Sequence, residues 1–170
     1  MTTYHFSFPT SITFGNGARH LVADHFKKHG FTTVLIVTDS GLASLPFFTE
    51  YVKELGKNGL TIPIFSGIQG NPTKSQVGAG AAAFKKSGAK AMLAIGGGAA
   101  LDVAKAIALM AYHPGDIFDY EDEKSGALPV DKEIPYWVAI PTTAGTGSEV
   151  GRSAVVADDT THVKKIIFSQ

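Results

Sequence analysis

Apolar and polar positions along the chain fall into two alternating kinds of segment. The run "TVLIVTD" (33–39) is β-branched and apolar, and "LASLPFFTEYVKELGKNG" (42–59) follows it with roughly helical spacing and closes on glycine. Together they predict a strand, a helix and a helix stop. A second strand is predicted over "LTIPIFSGI" (60–68), where Pro63 implies a sheet edge or a late start. "TKSQVGAGAAAFKKSG" (73–88) reads as a small-residue helix ending in glycine. "KAMLAIGGG" (90–98) is apolar on both faces, the mark of a strand inside a covered parallel sheet. The helix "AALDVAKAIALMAYH" (99–113), a polar stretch over 114–135 with no clear period, and a further buried strand in "PYWVAIPTT" (135–143) complete the series. The order β-α-β-α-β-α-β predicts an α/β fold with a doubly wound, mainly parallel sheet and flanking helices.

Two segments fall outside that series. "YHFSFPTSITFGNGARHLVADHFKKHG" predicts extended or hairpin chain entering a helix, with "GNG" as its turn, and "SAVVADDTTHVKKIIFS" alternates around "DDTT" and predicts a C-terminal β-hairpin. No repeat, low-complexity tract or linker divides the chain, so its 170 residues fit a single domain or one half of a larger enzyme. Lys plus Arg and Asp plus Glu number 15 each, which leaves no basic stripe for nucleic acid. No stretch reaches the roughly 20 apolar residues that span a bilayer, and the start has no basic segment followed by an apolar run. A cytoplasmic protein without a membrane partner is expected. With no cysteine, disulfides, zinc ribbons and thiol nucleophiles are excluded, and a metal would need His, Asp or Glu.

Candidate chemistry gathers where strands end. Gly96, Gly97 and Gly98 stand between an apolar strand and a helix, where bare backbone and the helix N-terminus suit a phosphate or pyrophosphate. The alternative is a tight turn that binds nothing. Asp102 is placed in the first helical turn, either as a complement to the helix dipole or as an acceptor facing the sugar or nicotinamide end of a ligand. Lys105 stands three residues on and could pair with it. Asp39 ends the first strand, where a carboxylate can accept hydrogen bonds from a ribose diol and repel a 2′-phosphate, or simply cap the next helix. "PTTAGTGSEV" (141–150) crowds Thr142, Thr143, Thr146 and Ser148 around two glycines and suits a polar cofactor, although such residues also build plain turns. "GAGAAA" (78–83) follows polar "TKSQ" rather than a strand, so context rejects it as a dinucleotide fingerprint. No P-loop is present. His25 and His29 have metal-ligand spacing, but "ADHFKKHG" reads more as a solvated helix face.

"GNPT" (70–73), "GGGAALDVAKA" and "PTTAGTGSEV", in that order, resemble the iron-containing (group III) alcohol dehydrogenase family, and the resemblance covers essentially the whole chain. It implies a Rossmann-like NAD(P)-binding domain over residues 1–170, from a homo-oligomeric enzyme about twice as long that transfers hydride between NAD(H) and a primary alcohol or aldehyde. NAD is implied in preference to NADP through Asp39. The same resemblance carries pyrophosphate contact to Gly96, Gly97 and Gly98, and cofactor contact to Asn71, Thr142, Thr143, Thr146 and Ser148. It places Asp102 near the nicotinamide and Lys164, or less surely Lys165, near a ribose. Ala99 stands where the family commonly has serine, and Gly151 where it often has threonine or serine, so both positions keep only backbone contacts. The Fe²⁺ or Zn²⁺ of the family is held by an aspartate and three histidines of a C-terminal helical domain. None of these is expected before Gln170, which leaves half an active site and no metal ligand here. The competing readings are a catalytically inactive cofactor-binding or oligomerisation module, a relative of glycerol dehydrogenase or dehydroquinate synthase, and a glycine-rich kinase loop. "TTAGTGSEV" argues against the second, and the lack of aspartate among the glycines argues against the third.

Overall fold

The computed structural model describes residues 10–122 and 124–168. Its main sheet is built from β1 (Val34–Asp39), β2 (Ile64–Ile68), β3 (Ala91–Gly96) and β4 (Tyr136–Pro141), in the order β2-β1-β3-β4 with all three pairings parallel. Between the strands run α2 (Ser40–Ala43) and α3 (Pro46–Lys57), α4 (Lys74–Ser87) and α5 (Gly98–Tyr112), preceded by α1 (Val22–Lys28). Alternate strand residues feed two cores. Leu35, Val37, Met92 and Ala94 pack with α4 and α5, whereas Val34, Ile36, Leu93 and Ile95 pack with α1 and α3. A sheet covered on both faces explains why β1 and β3 are apolar at nearly every position. Fully buried side chains such as Leu101, Ile107 and Leu55 each stabilise the fold by about 1.5–3 kcal/mol.

Helix ends follow from local chemistry. Thr73 caps α4 in a reciprocal capping box with Gln76, and Gly88 ends it at φ 70°, in the left-handed region. Gly80, within the rejected "GAGAAA", lies in the middle of α4, and a Cβ there would run into Ile107 of α5. Its job is close helix packing. The doubly wound sheet and the hairpin of β5 (Ser153–Ala157) with β6 (Lys164–Phe168) agree with the sequence expectation, and β2 starts after Pro63 at a sheet edge.

Several expectations are corrected. The helix expected over 42–59 is two helices, because Leu45, ahead of Pro46, is held extended at φ −82°, ψ 140°. "PYWVAIPTT" forms β4, but at the sheet edge and half-buried instead of enclosed. Residues 1–9 of the expected N-terminal extended segment lie outside the described residues. The described part, from Thr10, forms no hairpin, and "GNG" turns into a short 3-10 helix at Ala18–Leu21. The aperiodic stretch 114–135 contains another, Ile117–Tyr120, that buries Ile117, Phe118 and Tyr120. Asp102 lies beyond the first turn of α5, which contains no acidic residue.

The candidate dinucleotide site

The order of strands in the sheet reverses between β1 and β3. In open α/β sheets this is where a crevice forms beyond the strand ends and ligands bind. Asp39 ends β1 and Gly96 ends β3, so the topology brings two residues 57 apart in sequence to one place. A cleft of about 450 Å³ opens there, lined among others by Asp39, Gly41, Gln69, Gly97 and Ala99.

The glycine turn fits a close-approaching anion. Gly96 has φ 151°, and a Cβ on it would come within 2.6 Å of the Ala100 Cβ and 3.3 Å of Asp39 Oδ2. Only glycine is comfortable at that position. Gly97 is the N-cap of α5 and provides no side-chain cap, so the first N–H groups of a 15-residue helix face the cleft without intrahelical partners. Asp39 Oδ1 accepts the Leu42 N–H at 2.7 Å and caps α2, while Oδ2 stays on the side of Gly96. Both sequence readings of Asp39, cap and ribose acceptor, are therefore compatible, one for each oxygen.

The hydroxyl loop closes the other side. The Thr142 N–H donates to the Gly96 carbonyl at 2.9 Å. A Cβ at Gly97 would lie 3.2 Å from Thr143 Oγ1, and one at Gly98 would lie 3.2 Å from Ser148 Oγ and from the Thr146 Cβ. Thr142, Thr143, Thr146 and Ser148 are thus gathered at the glycines. Beyond them a larger groove of about 1670 Å³ runs along the half-buried face of β4, lined in part by Thr142, Thr143, Gly151, Lys105 and Trp137. Gly151 is exposed, and its N–H donates to the Gly147 carbonyl at 2.8 Å.

Other nominated residues stand further off. Asn71 is exposed in the loop after β2, beside the cleft-lining Gly70. Lys164 is exposed at the start of β6 and lines neither volume. Lys165 is engaged by Glu121 Oε2 at 2.7 Å and lies over the Phe118 ring. Asp102 is committed to protein groups, with Oδ1 3.0 Å from Lys105 Nζ and Oδ2 accepting the Val155 N–H at 3.1 Å. His25 Nε2 is 2.7 Å from Tyr136 Oη, and His29 Nδ1 bonds the His25 carbonyl. Among the described residues no three His, Asp or Glu side chains converge.

The sequence reading missed Ser40, Gly41 and Gln69 as cleft residues. Their signal was present, since Ser40 and Gln69 directly follow strand ends at the crevice side of the sheet and Gly41 is one residue further on. It also missed Glu149, whose Oε2 is shielded from solvent without a hydrogen-bond partner among the described residues, as is Thr38 Oγ1.

Comparison with known proteins decides the family. The family profile described as "Iron-containing alcohol dehydrogenase" matches residues 9–170. The chain belongs to the iron-containing alcohol dehydrogenase family. It is 37% identical over 165 residues to alcohol dehydrogenase 4 of Schizosaccharomyces pombe, covering 97% of this chain and 38% of that protein. It is 38% identical over 165 residues to the NAD-dependent methanol dehydrogenase of Bacillus methanolicus, covering 97% of this chain and 42% of that protein. The structure superposes on sulfoacetaldehyde reductase from Bifidobacterium kashiwanohense, solved in complex with NAD+, with a TM-score of 0.89 at 29% identity, covering 100% of this chain and 44% of that one. The chain thus spans about 40% of the length of the curated relatives it matches. Iron-containing alcohol dehydrogenases with this Rossmann-like fold are its relatives, and a glycerol dehydrogenase or dehydroquinate synthase type is not favoured.

Proposed function

We propose that residues 1–170 form the dinucleotide-binding domain of an alcohol dehydrogenase that prefers NAD(H) to NADP(H). The observation that carries this is the bare glycine turn at the switch point of the sheet, with the Asp39 carboxylate on one side and the hydroxyl loop on the other. The pyrophosphate lies over Gly96–Gly98 and the open N–H groups of α5. The adenosine ribose hydrogen-bonds Asp39 Oδ2, whose charge repels a 2′-phosphate. The nicotinamide half continues past Thr142 and Thr143 into the larger groove beside the backbone of Gly151, with Thr146 and Ser148 against the glycine turn, Asn71 and the backbone of Ala99 on the side of the Asp39 cleft, Asp102 behind the hairpin and Lys164 further out on β6.

Bound NAD+ supplies the hydride acceptor, so that an alcohol leaves as the aldehyde with one hydride transferred and one proton released. The part of the chain's own residues is to bind and orient the dinucleotide. The alcohol pocket and the Fe²⁺ or Zn²⁺ ligands belong to the rest of the family's length. The half-buried face of β4 and the exposed Ile12, Phe14 and Leu21 form the surface on which that part docks, or through which copies associate. The cytoplasm is the compartment this chemistry suits.

Calorimetric titration of the 170-residue chain with NADH and NADPH tests the reading. Saturable NADH binding, at least about tenfold tighter than NADPH, is expected. Binding of neither, or equal binding of both, would sink it.

A further inference from the structure

Lys105 and Asp102 are three residues apart on α5, and such pairs on an open helix surface contribute little. Here the pair is nearly enclosed, with side-chain exposures of 10% and 14%. The ammonium lies 3.0 Å from Asp102 Oδ1 and 3.3 Å from the Gly151 carbonyl, and also donates to the Ser153 carbonyl. Three acceptors thus surround a group with three protons. The second Asp102 oxygen accepts the Val155 N–H at 3.1 Å, so both charges of the pair grip a segment some 50 residues away along the chain.

That segment is the far end of the hydroxyl loop. Its near end is fixed by the Thr142 N–H on the Gly96 carbonyl. Lys105 fixes the other end at Gly151 and Ser153, and the hydroxyls between the two ends lie against Gly97 and Gly98. We propose that Lys105 is a positioning residue: its ammonium holds the hydroxyl loop at the distance from the glycine turn that the nicotinamide half of the dinucleotide requires. The adenosine half is held by Asp39 and the open N–H groups of α5, and Lys105 bonds neither. The inference rests on the dinucleotide reading above.

The test uses two ligands, because a merely structural role would weaken both together. ADP reports the adenosine side, and NADH reports both sides. The 170-residue chain, Lys105→Met and Lys105→Arg are each titrated with NADH and ADP by calorimetry, with thermal unfolding recorded alongside. Lys105→Met is expected to bind NADH about tenfold more weakly while ADP affinity stays within about twofold. Lys105→Arg keeps the charge but replaces a point donor with a planar fork that cannot converge on the same three acceptors, so it shows the same selective loss at about threefold and remains informative if the methionine variant fails to fold. Unchanged NADH affinity in the folded variants, or a parallel loss of NADH and ADP, overturns the role of Lys105 while leaving the cofactor reading intact. Failure of the unaltered chain to bind either ligand overturns both.

Discussion

On the Asp39 side of the glycine turn, shape comes from neighbours in sequence: Asp39 caps the helix that follows it, and Gly96, Gly97 and Gly98 turn a strand directly into α5. On the Thr142–Gly151 side, shape comes from distant contacts. Lys105 and Asp102 reach residues 151–155, and the Ala157 N–H donates to the Pro72 carbonyl at 2.8 Å. The first side is a property of two strand ends, whereas the second exists only once the hairpin has closed over α5. A dinucleotide lying across both would meet a preformed half and an assembled half.

Breaking the first side should have the largest effect. Gly96→Val places a branched side chain at φ 151° and against the Ala100 Cβ, which cannot swing away as a long side chain would. A loss of about 3 kcal/mol in chemical denaturation is expected, with loss of NADH binding in whatever remains folded. Wild-type stability would show that the turn has room that its geometry denies. Asp39→Asn is a finer tool on the same side. Asparagine caps a helix as well as aspartate does, so stability should hold within a few tenths of a kcal/mol. The missing charge should lower the preference for NADH over NADPH about tenfold, measured as the ratio of the two dissociation constants. An unchanged ratio would leave Asp39 as a cap alone.

The smallest effect concerns His25, which lines the larger groove. Burial first, then the charges of His29 and Lys28, hold its imidazole below the ordinary 6.5. The unfolded chain therefore takes up this proton more readily than the folded one. Its contribution to stability is complete above pH 6.5 and is lost as pH falls through the lower folded value. Unfolding midpoints recorded against pH should fall less steeply below 6.5 in His25→Gln than in the unaltered chain. Equal slopes would remove His25 from the acid response.

The sequence disclosed most where one strand or one turn decides the structure. The unbroken apolar run that follows Lys90 placed β3 inside the sheet, Pro63 put β2 at an edge, and the glycine run marked the crevice. It disclosed less where distant partners decide. β4 is as apolar as an interior strand, yet nothing in its own residues states whether a further strand lies beside it. The Ile117–Tyr120 turn is too short to carry a period, although it buries three side chains. Asp102 and Lys105 are visible as a pair, but their grip on Gly151, Ser153 and Val155 depends on how the hairpin returns. The split between α2 and α3 differs in kind, since Pro46 announces it and the helical spacing around it conceals it.

The enclosure of α5 also sets an order of events during synthesis. Nine of its residues are buried, and Ala154, Val156 and Ile167 of the hairpin belong to the same core. Until the chain has been made through Ile167, the side of α5 that the hairpin covers faces water. The ribosome therefore releases an apolar helix long before its cover, across separations of about 50 residues that are slow to close. The nascent sheet would be a natural client for chaperones in that interval. Closure of the hairpin ends the exposure and, by drawing Gly151 to Lys105, completes the second side of the crevice in the same step.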